Sequence, residues 1–192
     1  NDKHSLGAEF QYNYWGGEDT TETWTERALN GSTTRTDGDY SNSYNSYMYT
    51  ATANYIYKLD NMGSTLKFIG DYTDSRSPRS SNYYDTEYDL LMPAVMRDST
   101  YRYASRSHYQ LGTATIALEK VLSPKVTLKA GAKYTHNTNA NSADYEYFKE
   151  ELWHPNLEQS YNIGYTENIG AACVIGTARL GRVSVVGGLR GE

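Results

Sequence analysis

Residues Ser43–Lys58 read SYNSYMYTATANYIYK. Taken every second residue, Tyr47, Tyr49, Ala51, Ala53, Tyr55 and Tyr57 fall on one face of an extended chain. Side chains of a strand alternate between its two faces, so this is a period-two signal. The shared face runs Tyr-Tyr, Ala-Ala, Tyr-Tyr. Aromatic pairs at both ends of a small apolar band match the two interfacial girdles of a membrane-crossing strand. The same face also suits a half-exposed sheet in a soluble protein.

Six more stretches follow the same rule. Upstream, Ser5–Trp15 sets Leu6, Ala8, Phe10, Tyr12 and Tyr14 against Ser5, Gly7, Glu9, Gln11 and Asn13. Downstream, the tight turn LDNMG offers Asn61 and Gly63 for positive φ. A third strand, residues 64–75, aligns Leu66, Phe68, Gly70 and Tyr72. The fourth, His108–Val121, aligns Gly112, Ala114, Ile116 and Leu118. The fifth, from Val126, aligns Leu128, Ala130, Ala132 and Tyr134. The sixth spans Tyr161–Gly176 and the seventh Arg182–Arg190.

The connections alternate in length. Polar stretches near 16–42, 76–107 and 137–160 read as long loops, the second with room for a short helix near DLLMPAVMRD. LDNMG, LSPK and TARLG are short turns. In an up-and-down meander, all long connections then lie at one end. Outer-membrane barrels have this asymmetry, with long outside loops and short periplasmic turns. Tyr14, Tyr72 and Tyr134 stand at the long-loop ends of their strands. Glu9, Lys67, Asp71, Lys129, Lys133 and Arg190 lie on the opposite, lumen-type faces. The expected fold is therefore all-β: an antiparallel meander of about seven strands, forming one partial barrel domain over residues 1–192.

Composition agrees. The chain has 192 residues, with 20 Tyr against 3 Phe and 3 Trp, and a net charge of -5. A mean hydropathy of -0.74 would suit disorder, but disordered chains are poor in aromatics. An acidic balance argues against nucleic acid. No apolar run reaches about 18 residues, which leaves membrane barrels untouched. The lone Cys173 allows no internal disulfide.

Three segments carry a family resemblance. YTENIGAACVIGTARLGRVSVVGGLRGE resembles the closing hairpin of TonB-dependent outer-membrane receptors and of the related outer-membrane protein β-barrel family. The matching positions are Tyr165, Glu167, Ile169, Ala171 and Ala172, then Gly188, Leu189, Arg190 and Glu192. Asn54–Ser75 resembles an earlier hairpin of these receptors, and Val126–Asn137 another of their strands. The resemblance implies the outer membrane of a Gram-negative bacterium. It implies nutrient uptake, of a metal chelate, a vitamin or an oligosaccharide. It implies outer-membrane lipid, a plug domain and TonB-type energy-coupling machinery as partners, and no enzymatic activity. No cofactor is expected. Plug and coupling segment are not visible here, and large receptors have about 22 strands. The chain is thus expected to be a segment of a larger barrel, with free edge strands that favour self-association. The other architecture, a soluble extracellular β-sheet module for ligand binding or adhesion, stays open at this point.

Candidate sites are few. The four histidines are scattered, and no zinc-type spacing occurs. TDGDYSN (Asp37, Asp39, Ser41, Asn42) offers oxygen ligands but lacks the glycine and distal acid of a calcium loop, and reads as a polar turn. Glu167 and Arg190, on adjoining strands, are expected to pair on the lumen wall or to touch the plug. The outside loops mix aromatics with carboxylates and amides, which suits amphipathic ligands such as sugars. Trp24, Tyr83, Tyr84 and Trp153 are the candidate ligand-binding residues.

Overall fold

A computed structural model describes residues 3–29, 31–91 and 94–192. Among them the chain forms one antiparallel sheet of eight strands. These are β1 (His4–Leu29), β2 (Ser32–Lys58), β3 (Thr65–Asp89), β4 (Ala94–Ser123), β5 (Val126–Lys149), β6 (Leu152–Pro155), β7 (Tyr161–Leu180) and β8 (Val183–Gly191). The spatial order is β1-β2-β3-β4-β5-β7-β8, and the four-residue β6 pairs with the outer end of β5. The sheet is not closed, since β1 and β8 have no pairing with each other.

The seven expected strands are all present, but they are longer than their hydrophobic alternation. Most described residues of the stretches read as long loops are paired strand. Residues 4–29 of β1 match residues 57–32 of β2 without a break. β3 and β4 continue in register to Asp89 and Ala94, with one bulge near Glu87 and Tyr88. No helix forms beside them: β4 starts at Ala94, and Met92 and Pro93 lie outside the described residues. The reason is local chemistry. These segments are rich in Thr and Tyr, residues that favour the extended backbone even where neither face is apolar. Periodicity of hydrophobicity alone misses such a strand. At 27 residues, β2 is about 90 Å long, roughly three times what a membrane crossing needs.

The described residues form no conventional core. Ala143 is the one fully buried hydrophobic residue among those described. The chain exposes 13734 Å², where a compact protein of its mass would expose about 9,200 Å². Much of the excess is apolar: Leu6, Phe10 and Leu189 are 80%, 68% and 84% exposed. The register carries the apolar face across the whole sheet. One row runs Leu6, Tyr55, Phe68, Ile116, Ala132, Ala172 and Gly191. The opposite face is polar and cross-linked by hydrogen bonds, although Ser81 Oγ and Asn137 Oδ1 are buried on it without a partner. Asp71 accepts hydrogen bonds from Thr52 (3.0 Å) and Thr113 (2.9 Å), its flanking neighbours, and Lys129 meets Glu119 at 3.3 Å.

The short turns are tightly built. Asp60 accepts from the backbone N–H of Met62 and Ser64 and from Lys120 Nζ (2.7 Å). The Lys120 and Ser64 bonds hold its carboxyl well below the usual carboxylate range. Gly63 takes φ of 96°, as the turn requires.

Candidate functional site

The tyrosines that close the apolar band share a local motif. Tyr14 donates to Asn45 Oδ1 (2.8 Å), Tyr134 donates to Asn168 Oδ1 (2.7 Å), and Tyr72 accepts from Gln110 Nε2 (3.1 Å). Each ring lies against the band while its hydroxyl bonds a polar group on a neighbouring strand. That is the arrangement of a ring at a membrane–water boundary. At the other end, His4 bonds the Tyr55 hydroxyl (2.7 Å) and stacks on Tyr57.

The girdle also records strand tilt. Tyr49 on β2 shares a ladder row with Asp74, Gln110 and Thr138, yet the girdle residue of β5 is Tyr134, four residues nearer the short turns. Four residues are about 13.6 Å along a strand, and three interstrand steps are about 14.4 Å. The girdle therefore crosses the rows at about 43°, within the usual tilt of barrel strands.

Beyond the girdle the strands continue as paired ribbons, whose polar face carries an aromatic row. Tyr40, Tyr83, Tyr101, Tyr147 and His154 occupy successive register positions on β2 through β6. Tyr83 and Tyr101 stack at 4.6 Å with planes 5° apart, and Tyr40 stands 5.3 Å from Tyr83. Tyr147 stacks on His154, and Tyr103 pairs with Tyr145 at 4.6 Å. Tyr40 donates to Asp85 (3.1 Å) above Gly38, where any Cβ would lie 2.5 Å from the Tyr40 hydroxyl. Burial, then the nearby Asp85 charge, pushes the Tyr101 hydroxyl up to about 12, and burial raises Tyr145 as well.

The four sequence-derived candidates are thereby separated. Tyr83 joins the row, but its ring faces are taken by Tyr40 and Tyr101. Trp24, Tyr84 and Trp153 lie on the other face by register parity. Arg35 sits 5.5 Å over Trp24, and Arg102, ion-paired with Glu146, sits 4.2 Å over Trp153. Trp153 also meets Phe148 at 5.3 Å. Glu167 and Arg190 do not pair: Glu167 stands opposite Asn137, Arg190 opposite Cys173, and Arg190 bonds Glu192 instead. Asp37 and Asp39 belong to a strand, with Asp37 engaged by Arg35. The row members Tyr40, Tyr101 and Tyr147 were missed because only register aligns them. The part of their signal in the sequence was the tight turn LDNMG, which sets the register of β2 on β3 and so brings Tyr40 opposite Tyr83.

Residues 57–192 match the model of the outer membrane protein β-barrel family. The chain belongs to this family. Its place is the outer membrane of a Gram-negative bacterium, so the exposed apolar face has lipid as its solvent. The soluble-module reading falls with that placement. No curated protein matches the chain. Similarity to solved structures is slight. The membrane pore complex of pneumolysin gives a TM-score of 0.15 at 9% identity, over 96% of this chain and 31% of that one. The ferric enterobactin receptor of Pseudomonas aeruginosa, in complex with enterobactin, gives 0.19 at 8%, over 98% and 44%. The translocator domain of the autotransporter NalP from Neisseria meningitidis gives 0.15 at 9%, over 98% and 86%. Scores this low establish no shared fold. The barrel chain spans less than half the length of the first two.

Proposed function

We propose that this barrel chain forms part of the wall of a TonB-dependent receptor that imports a nutrient across the outer membrane. The observation that carries the reading is the one-sided build. Three long ribbon systems rise from one rim, and only short turns close the other. Ribbons bearing a tyrosine row toward the lumen suit capture of a scarce amphipathic solute, such as a metal chelate, a vitamin or an oligosaccharide. The ordered motif resemblance of the membrane strands supports the same class. In this reading a plug domain fills the lumen, and inner-membrane energy-coupling machinery drives transport. The open edges of β1 and β8 are met by further strands of the same wall or, in an isolated piece, by a second copy. The chain provides binding and passage and catalyses no reaction.

The test is uptake by intact cells. Loss of the gene should abolish accumulation of one labelled solute among a ferric chelate, cobalamin and an oligosaccharide. A protonophore should abolish the same uptake in wild-type cells. Unchanged uptake of all three after gene loss, or uptake indifferent to the protonophore, overturns the proposal.

A further inference from the structure

The membrane-facing side of the sheet changes charge just beyond the tyrosine girdle. Arg76 on β3, and Arg106 and His108 on β4, line an open cleft of about 540 Å³ together with Tyr47, Tyr49 and Pro78. Register places Tyr47, Arg76 and His108 in one row, with Pro78 and Arg106 in the next row outward. Arg76 is four residues beyond Tyr72 on its strand. At the tilt of the girdle that is about 10 Å above the aromatic level, the depth of lipid headgroups.

The charges in this cleft are not all spent internally. Asp74 is the acid at its floor, held by Arg76 (3.0 Å), His108 (2.9 Å) and Gln110 (2.8 Å). Burial raises its pKa, but these bonds outweigh it and hold the carboxyl at about 2. The Arg76 bond uses only Nε, and the side chain is 61% exposed. A guanidinium has five N–H donors, so its outer edge stays available. Arg106 is exposed and has no ion pair among the described residues. Asp144 stands diagonal to it on β5, and Glu18 lies further along the same row on β1. The other ribbon arginines of this face differ, because Arg35 and Arg102 are each engaged by a carboxylate.

We propose that this cleft binds the phosphate of the phosphorylated glycolipid in the outer leaflet. Two guanidinium groups one row apart match a phosphate bidentately, and a planar fork holds such a group better than an ammonium. The Tyr47 and Tyr49 rings below supply an amphipathic shelf for the sugar and the start of the acyl chains. The inference rests on the outer-membrane placement and not on the import reading, and either can fail alone.

The experiment uses the full protein in detergent, titrated with diphosphoryl lipid A, its dephosphorylated form, or inorganic phosphate, with bound lipid read by native mass spectrometry. Diphosphoryl lipid A should bind, and R76Q/R106Q should weaken it at least about tenfold, given the attraction per basic residue near anionic headgroups. R97Q, which removes a charge far out on the ribbon, should leave binding unchanged. R76K/R106K should restore part of the loss. Should the double variant fail to fold, R106Q alone carries the test with an expected loss of about fivefold. Equal binding by wild type and the glutamine variants overturns the proposal. So does equal binding of the dephosphorylated lipid, or displacement of lipid A by equimolar inorganic phosphate, which would mark a site for the free ion.

Discussion

The same strands are built twice, once for lipid and once for water. Between Tyr49 and Tyr57, β2 shows Ala51 and Ala53 to the membrane and Thr50, Thr52 and Asn54 to the lumen. Between Ser32 and Asn45 the same strand is polar on both faces. Register and parity pass through the boundary unbroken; only side-chain chemistry changes. In the membrane band, lipid rewards one apolar face and punishes an unpaired backbone. In the ribbons neither applies, and the strands depend on ladder hydrogen bonds, stacked tyrosines and small residues beneath them, such as the buried Ser81 and Ala143.

The comparison breaks most sharply under a charge. Ala53 lies midway between Tyr49 and Tyr57 on the membrane side. Ala53→Arg should cost about 2–4 kcal/mol of unfolding free energy in lipid vesicles, as for a cation at the midplane. Ser43→Arg, on the same face beside Glu18, should change stability by no more than about 0.5 kcal/mol. Equal effects would mean that the two regions share one solvent.

Next comes the aromatic row. Tyr83→Ala removes two ring contacts and should destabilise the ribbons by about 1–3 kcal/mol. Hydrogen exchange should rise at residues 36–44 and 97–105 and stay unchanged below the girdle.

A smaller effect, in the opposite direction, is expected at the tip of β5. Glu150 and Glu151 both adopt positive φ, 53° and 61°. This two-residue turn favours Asn-Gly. E150N/E151G should therefore stabilise the β5–β6 hairpin by about 1 kcal/mol, seen as slower exchange at Tyr147–Trp153.

The smallest signal is spectroscopic. Absorbance at 295 nm, wild type minus Y101F, should show one phenol titrating near pH 12. Because the folded value is raised, the contribution of Tyr101 to stability is complete below about pH 10 and is lost as the pH rises toward 12. A difference curve centred on pH 10 would place Tyr101 in open solvent.

How much was readable in the sequence divides along the same boundary. The band was legible because lipid demands a contrast between faces, and Leu6, Phe10, Ala53, Phe68 and Leu128 display it. The ribbons were not, since DTTETWTE has no apolar side to reveal its period. Nor could the site be assembled from composition. Tyr83 and Tyr84 look equivalent in the chain, yet parity sends them to opposite faces, and Tyr40 reaches Tyr83, 43 residues further on, only through the β2–β3 register. The expected pairing of Glu167 with Arg190 failed for the same reason: adjoining strands do not make adjoining residues.

The unbroken register of β1 and β2 has a consequence for heritable length. A single-residue insertion in either ribbon arm would turn every side chain beyond it to the wrong face. Two residues added to each arm would lengthen the ribbon and leave all faces as they were. Relatives should therefore differ at this hairpin in steps of four residues, while the tyrosine girdle beneath keeps its spacing.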